Sequence, residues 1–462
     1  MFGSARKKRF ELYLIVIDTI LLCAAFYLAA MIRFGFGKSF EYIRINTGPL
    51  SVTVIIFLSL FYLGGLYEVR RLSNYLKIAI SVCITVVLSM LLSSFIFYAD
   101  ISFKVGRGVF AINSLFIIIF VTAARFLFVL TASKKVFDQN VIIVGTGEAA
   151  KDVINTLNKC PTSLYNVVGV IREDNQKISD NLVSGHRILG KINEISRIVE
   201  ENKINIIILT TFEPDKKKIL ENLRICRYRG TEIINVISLY EELEGQIPLK
   251  YVDDEWLFAS SVKYPNFHVK KLKRFMDIMG SLLGLILTLP VCFIAAMLIK
   301  FDSKGPIFYK QKRVGRFGKV FRVIKFRSMI NRAEKGTGGP VWSQEKDPRI
   351  TWVGRWLRRL RIDEIPQLFN ILVGDMSLIG PRPERPAFVR ELSEKISFYP
   401  ERLYVQPGLT GWAQVNYPYT SNIEQAKIKL QYDLYYIKNV SFFLDCLILL
   451  KTLKIAFLGR GR

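Results

Sequence analysis

The densest chemistry in the chain lies between residues 311 and 412. A carboxylate pair opens the run Asp363-Glu364-Ile365-Pro366-Gln367, just behind four arginines, Arg355, Arg358, Arg359 and Arg361. Upstream stand Gln311-Lys312-Arg313-Val314-Gly315 and Lys325-Phe326-Arg327-Ser328-Met329. Downstream come Gly380-Pro381-Arg382-Pro383-Glu384 and Pro407-Gly408-Leu409-Thr410-Gly411-Trp412. A carboxylate among arginines is expected to have a lowered pKa and to stay ionised. Such a carboxylate can attack phosphorus and form an acyl phosphate. Arg313, Lys325, Arg327, Arg358 and Arg359 are candidates for holding the phosphate. A divalent ion, Mg²⁺ first, would neutralise a diphosphate, with Glu364 as a ligand.

The residues around the pair predict its setting. Arg355, Arg358 and Arg359 are three or four apart and form one face of a helix, with Trp352, Trp356 and Leu360 on another. A helix of that kind lies in a membrane interface, tryptophans at headgroup depth. Pro366 is tolerated in a helix's first turn, so Asp363 reads as an N-cap of a helix through Phe369 and Leu372. A blander reading uses the same residues: a capped helix beside a lipid-anchoring arginine face. Other catalytic inventories are nearly empty. Only His186 and His268 exist, and the six cysteines form no C-x-x-C. A Ser-His-Asp triad or a histidine-ligated metal has little raw material.

The 462 residues are 51% hydrophobic, with 65 Lys and Arg against 39 Asp and Glu, a net charge of +26. Long apolar runs turn that charge toward anionic headgroups and substrates. Nucleic acid is excluded as a partner, because the basic residues flank apolar runs. Four spans are expected near 11–32, 50–67, 76–98 and 109–132, each close to the ~20 residues that cross a bilayer. The cluster Arg6 to Arg9, then Arg70, Arg71 and Lys77, then Lys134 and Lys135, sets both the N-terminus and the region after 135 in the cytosol.

A fifth apolar run, 275–299, has Lys270, Lys271, Lys273 and Arg274 before it and Lys300, Lys304, Lys310, Lys312 and Arg313 after it. A crossing would strand one basic cluster outside, against the charge rule. Pro290 sits inside the run and removes a helix hydrogen bond. The expectation is a re-entrant hairpin broken at Leu289-Pro290, with an ordinary span as the alternative.

Between these regions, β-branched runs at 141–144, 167–170 and 206–209 alternate with helical periods. This is a Rossmann-like α/β pattern with a G-x-G-x-x-A turn at Gly145 and Gly147. The turn could present amides to a phosphate, with Glu173 or Asp174 as the later acidic residue. A structural or regulatory domain without nucleotide fits equally. The expected division is membrane helices 1–135, Rossmann-like domain 136–262 and α-rich catalytic domain 263–462.

The last region resembles the bacterial sugar transferases, the monotopic phosphoglycosyl transferases. The resemblance runs over Lys273-Arg274 with Asp277, the proline-containing apolar helix, K-F-R-S-M, D-E-x-P-Q, G-P-R-P, P-G-L-T-G-W and the run Tyr432-Asp433-Leu434-Tyr435-Tyr436-Ile437-Lys438-Asn439. The whole chain looks like the large members that initiate exopolysaccharide, capsule or O-antigen synthesis. The resemblance implies transfer of a hexose 1-phosphate from a UDP-sugar, glucose or galactose first, to undecaprenyl phosphate at the cytoplasmic membrane, with release of UMP. It implies Asp363 as nucleophile, Glu364 as its assistant through the metal or the lipid acceptor, Arg382 on phosphate, Asp363 and Glu364 toward Mg²⁺, and Asp433 toward the metal or as active-site support. A homodimer is expected. The family's Ser-Pro break is Leu289-Pro290 here, without the hydroxyl. Two rivals remain: a membrane-anchored nucleotide-sugar dehydratase or epimerase, which lacks its Tyr-x-x-x-Lys pair here, and a non-catalytic membrane scaffold.

Overall fold

A computed structural model describes residues 3–67, 75–99, 106–132, 139–159, 165–172, 182–210, 216–259, 267–330, 347, 349–417 and 422–457. Arg70, Arg71, Lys134, Lys135, Glu173 and Asp174 lie outside them. The chain forms two compact units, Met1–Leu243 and Glu244–Arg462.

The first unit opens with α1 (Gly3–Phe34), α2 (Phe36–Ile45), α3 (Thr47–Leu63), α4 (Tyr75–Ala99) and α5 (Arg107–Ala132). Stretches of α1, α4 and α5 are each long and apolar enough to cross a membrane. The span expected at 50–67 falls on α3, which qualifies only together with α2, across an 80° bend. Leu14 and Leu22 of α1, Phe57 and Phe61 of α3, Val82 and Val86 of α4, and Ile117 and Val121 of α5 share one core. Inside this apolar setting Arg125 donates to Asp18 at 2.6 Å, both side chains fully buried. Arg125 Nε also reaches the Leu66 carbonyl at 3.2 Å, tying α5 and α1 to the turn after α3. Among the described residues Asp18 Oδ1 and Arg125 Nη1 have no hydrogen-bond partner, so the pair is incompletely satisfied.

The same unit continues as β1 (Gln139–Val144), α6 (Glu148–Lys159), β2 (Tyr165–Arg172), β3 (Leu182–Val183), β4 (His186–Lys191), α7 (Ile195–Glu201), β5 (Ile206–Leu209), α8 (Lys216–Tyr228), β6 (Glu232–Asn235) and α9 (Val236–Glu244). The sheet order is β3-β4-β2-β1-β5-β6, parallel except at β3–β4. Strand order reverses beside β1, the feature of a Rossmann-like doubly wound sheet. The expected α/β domain is present.

The second unit comprises α10 (Asp254–Ala259), α11 (Phe267–Asp302), β7 (Phe308–Val314), β8 (Val320–Phe326), α12 (Trp352–Arg359), α13 (Gln367–Val373), β9 (Ser377–Ile379), α14 (Pro386–Lys395), β10 (Gly408–Thr410), α15 (Trp412–Asn416), α16 (Ile423–Lys438) and α17 (Phe442–Phe457). Residues 244–259, grouped by sequence with the middle domain, belong here. Trp412 Nε1 donates to the Gly245 carbonyl at 2.7 Å, and the Ile247 amide to Gln431 at 3.0 Å.

Helix α11 corrects the break expected at Leu289-Pro290. It runs unbroken through Pro290 for 36 residues, about 54 Å at ~1.5 Å per residue. Thr288, two residues before the proline, donates its hydroxyl to the Gly284 carbonyl at 2.6 Å. One stripe of α11 packs on the second unit along nearly its whole length. Lys273 bonds Asp445, Arg274 bonds the Ile371 and Leu372 carbonyls, and Asp277 accepts from Ser377 and the Leu378 amide. Further along, Ala295 and Ile299 pack with Phe326, Val353 and Leu357. Spacings of three and four place these residues on one helix face. Phe275, Leu283, Ile286, Leu289 and Phe293 stand exposed on the remainder.

Arg125→Ala should destabilise the protein by about 3–5 kcal/mol, because it leaves Asp18 charged and buried alone. Replacing both, Asp18→Leu with Arg125→Leu, should cost much less. Thermal unfolding of the three proteins in detergent measures the difference.

Candidate active site

The carboxylate pair occupies a single 3₁₀ turn, Ile362–Glu364, between α12 and α13. Thr351 caps α12, accepting from the Gly354 amide at 3.0 Å. Gly354 lies so close to Ser328 that a Cβ would fall 2.1 Å from its carbonyl oxygen, so the approach of α12 to the end of β8 requires glycine. Leu357 and Val353 face inward, while Trp352, Trp356 and Leu360 are exposed, as the sequence pattern indicated. Arg361 then takes a left-handed conformation, φ 56°, which ends α12 and turns the carboxylates inward. The Asp363 N-cap expectation is corrected: α13 begins at Gln367 behind Pro366, with no side-chain cap.

The two carboxylates have unlike surroundings. Glu364 Oε1 accepts from Lys325 at 3.0 Å and from Arg382 at 2.5 Å, and Arg361 stands 3.8 Å from Oε2. Burial pushes the Glu364 carboxyl up, but Arg382 and Lys325 outweigh it and hold it well below the usual range. Asp363 makes no hydrogen bond or ion pair among the described residues and is 7% exposed. Burial first, then the Glu364 charge, raise its pKa to about 6, against the pull of Lys325, Arg358 and Arg382. The expected lowering is therefore corrected for Asp363. The nearest cations are spent on Glu364, and desolvation outweighs the rest.

The predicted cations separate into groups. Lys325 and Arg382 meet at Glu364, and burial lowers the Lys325 pKa. Arg358 bonds Ser328 at 3.0 Å and acts electrostatically on Asp363. Arg359 is exposed and lies over the Trp356 ring, on the tryptophan side of α12. Arg313 bonds the Pro383 carbonyl and Gln311 and faces Glu384 at 3.5 Å. Arg327 is committed to the end of α11, bonding the Ile299 and Ser303 carbonyls at 3.2 and 2.6 Å. Arg313 and Arg327 thus hold protein groups, because each finds acceptors on neighbouring backbone.

Asp433 stands in a buried ion pair. It pairs with Arg402 at 3.0 Å, both buried, and Arg402 bonds the Arg382 carbonyl and the Tyr399 hydroxyl. Lys429 pairs with Glu384 at 2.9 Å. Burial pushes Glu384 up, but Lys429, Arg402 and Arg313 hold it at about 2. This lattice supports the Pro381–Glu384 loop. Among the described residues no three His, Cys, Asp or Glu converge for a metal ion. With Glu364 and Asp433 both claimed by cations, the donor set does not fit a protein-held Mg²⁺. Sequence reasoning missed Arg402 and Lys429 and gave Asp277 no role, because their roles depend on buried partners 31 to 101 residues away.

In the first unit, the Gly145 turn ends β1 at the strand reversal. Gly145 has φ 112°, a value glycine permits, and its amide is spent on the Ile171 carbonyl at 2.9 Å. Glu148 adds a negative charge to the first turn of α6, where an anion would otherwise be favoured.

Together these features define a membrane protein with an α/β domain and a second unit built on a long apolar helix beside a buried acidic pair. Residues 268–459 match the family described as bacterial sugar transferase, and residues 63–236 match a CoA-binding domain. The chain is 40% identical over 236 residues to the UDP-N-acetylgalactosamine-undecaprenyl-phosphate N-acetylgalactosaminephosphotransferase of Aeromonas hydrophila, covering 51% of this chain and 55% of that protein. It is 32% identical over 330 residues to the undecaprenyl-phosphate glucose phosphotransferase of Komagataeibacter xylinus, covering 70% and 60%. An uncharacterized sugar transferase of Haemophilus influenzae is 32% identical over 340 residues, 69% of each chain. The chain belongs to the bacterial sugar transferase family. It aligns with little more than half the length of the first two relatives.

Activity should fall along a limb near pH 6 as Asp363 takes up its proton. In Glu364→Gln that limb should move to lower pH, since a repelling charge is lost and two cations are freed. Because the folded-state pKa lies above the ordinary 3.8, the Asp363 carboxylate opposes folding above pH 6 and is relieved as pH falls through that value. Asp363→Asn should therefore melt higher than wild type at pH 7.5, by scanning fluorimetry. Asp433→Asn should melt lower while leaving the Mg²⁺ concentration for half-maximal activity unchanged; a changed metal requirement at unchanged stability would restore the ligand role.

Proposed function

We propose that this protein transfers a sugar 1-phosphate from a UDP-sugar to undecaprenyl phosphate in two displacements, at the start of a cell-surface polysaccharide. The observation that carries the reading is the asymmetry of the pair: Glu364 is bound by Lys325 and Arg382, and Asp363 has no hydrogen bond or ion pair among the described residues. A free carboxylate oxygen attacks the sugar-bearing β-phosphorus. A bond forms from Asp363 to phosphorus, and the bond to the bridging oxygen breaks. UMP leaves with that electron pair. A phosphate oxygen of the lipid then attacks the aspartyl phosphosugar and returns the carboxylate. Lys325 and Arg382 supply fixed positive charge at a low-dielectric site where charge develops. Arg358, on the helix that carries the exposed tryptophans, is suited to the phosphate nearest the bilayer. A divalent ion belongs in this reading to the donor diphosphate, as part of the substrate.

The membrane arrangement is part of the proposal. α11 packs one stripe against a single compact unit along a length of about 54 Å, more than the ~30 Å hydrocarbon core. A crossing helix would carry that unit into lipid. Both ends of α11 are therefore assigned to the cytosolic face of the cytoplasmic membrane, with α1 and α3 to α5 crossing it. The middle domain is read as structural, since its glycine turn spends an amide and presents Glu148.

UMP release from UDP-N-acetylgalactosamine, UDP-glucose and UDP-galactose, with undecaprenyl phosphate and Mg²⁺, tests this reading. The Aeromonas relative's name puts the first donor at the head of the panel. One donor should support lipid-dependent release, and Asp363→Asn should reduce it to background. Release by Asp363→Asn close to the wild-type rate would remove the proposed nucleophile.

A further inference from the structure

Gln367 is 3% exposed, and its side-chain nitrogen Nε2 is buried without a hydrogen-bond partner among the described residues. A buried unpaired donor is uncommon in folded proteins and calls for an explanation, such as a ligand that arrives later. The contrast with its neighbour is direct. Asn370, the other buried amide of α13, donates to the Arg322 carbonyl at 2.8 Å and accepts from the Ile324 amide at 3.0 Å. Asn370 is a strut between α13 and β8, whereas Gln367 Nε2 has no partner among the described residues.

Its place in the chain gives the direction. Ile362 to Glu364 form a 3₁₀ turn, Ile365 and Pro366 keep right-handed helical angles, and α13 follows at once. Gln367 therefore comes one helical turn after Asp363, within the ~5–6 Å that separates side chains so spaced, and both are buried. An arginine here would pair with Asp363, as Arg382 pairs with Glu364, and would blunt the nucleophile. A neutral amide donor has no such effect.

We infer that Gln367 is a further catalytic residue: its amide N–H donates to a non-bridging oxygen of the phosphoryl group that Asp363 attacks. The inference rests on the phosphotransfer reading above. The donor gains its partner only when substrate is present, and the bond strengthens as charge builds on the phosphoryl oxygens and persists in the aspartyl phosphosugar. No proton is transferred in this role.

Gln367→Met keeps the length of the side chain and removes its polar atoms. With the UDP-sugar that supports UMP release, kcat should fall about 10²- to 10³-fold, the loss typical of one preorganised donor. KM for the donor should stay within about threefold. The melting temperature should hold or rise, because an unpaired buried polar group has been replaced by an apolar one. Gln367→Glu, which can place an acceptor where the donor stood, should be at least as slow. A kcat for Gln367→Met within about threefold of wild type would overturn the inference, as would a lowered melting temperature with activity lost in proportion to folded protein. The failures are separable. No lipid-dependent release by wild type defeats the phosphotransfer reading itself. Release that depends on Asp363 but not on Gln367 defeats only this assignment.

Discussion

The site depends on how one carboxylate is kept occupied. Glu364 draws Lys325 and Arg382 onto a single oxygen, and those cations would otherwise settle on Asp363. Two adjacent carboxylates in a low-dielectric setting do not ionise alike unless their partners are divided unequally. The division is unequal here. One carboxylate falls well below the ordinary range, while the other rises to about 6 yet remains largely ionised at neutral pH. Glu364 thus acts as a counterion that holds two cations in place without their pairing with the group beside it.

Holding those cations requires a support of its own. The Arg382 main chain is gripped by Arg402, which is gripped by Asp433 and Tyr399, while Glu384 at the far end of the loop is gripped by Lys429 and Arg313. These charges are buried, where broken pairs cost more than intact ones return. Their value lies in geometry. Prolines at 381 and 383 restrict the loop, and the ion pairs choose among its remaining positions. The long apolar helix enters the same frame, because Asp277 binds β9 just ahead of the loop and Arg274 binds the end of α13. Membrane anchor and reactive loop therefore share a single rigid support.

How much of this was legible in the sequence follows from the range of the interaction concerned. The α/β pattern of the middle domain, the tryptophan face of α12 and the carboxylate pair are local, and periodicity or adjacency exposes them. The family resemblance brought Arg382 to the pair. Composition could not show that burial would outweigh arginine at Asp363, since four nearby arginines say nothing about where each one points. Arg327 and Arg313 looked like phosphate ligands because motifs do not reveal backbone acceptors. The proline in α11 marked a removed hydrogen bond correctly. The expected break did not follow, because one lost bond can be absorbed while a continuous packing stripe holds the helix on either side.

That stripe also bears on why the unsatisfied groups lie where they do. A structural polar group gains from being paired in the resting protein, as Asn370 and Asp277 are. A group meant for a transition state gains from remaining unpaired until substrate arrives, at a cost in stability that the rest of the fold must carry. Asp363 and Gln367 both carry that cost, a single turn apart; elsewhere in the unit Ser281 Oγ, Arg327 Nε and Gln414 Oε1 are also buried without partners among the described residues. Rigidity is what makes the arrangement tolerable. A softer support would let Gln367 swing to a nearby carbonyl, or let Arg382 slip from Glu364 to Asp363, and the site would relax into a better-satisfied and unreactive state. The buried lattice from Asp433 to Arg382 and the clamp on α11 are then part of the chemistry, since they keep two frustrated groups from finding partners in the protein.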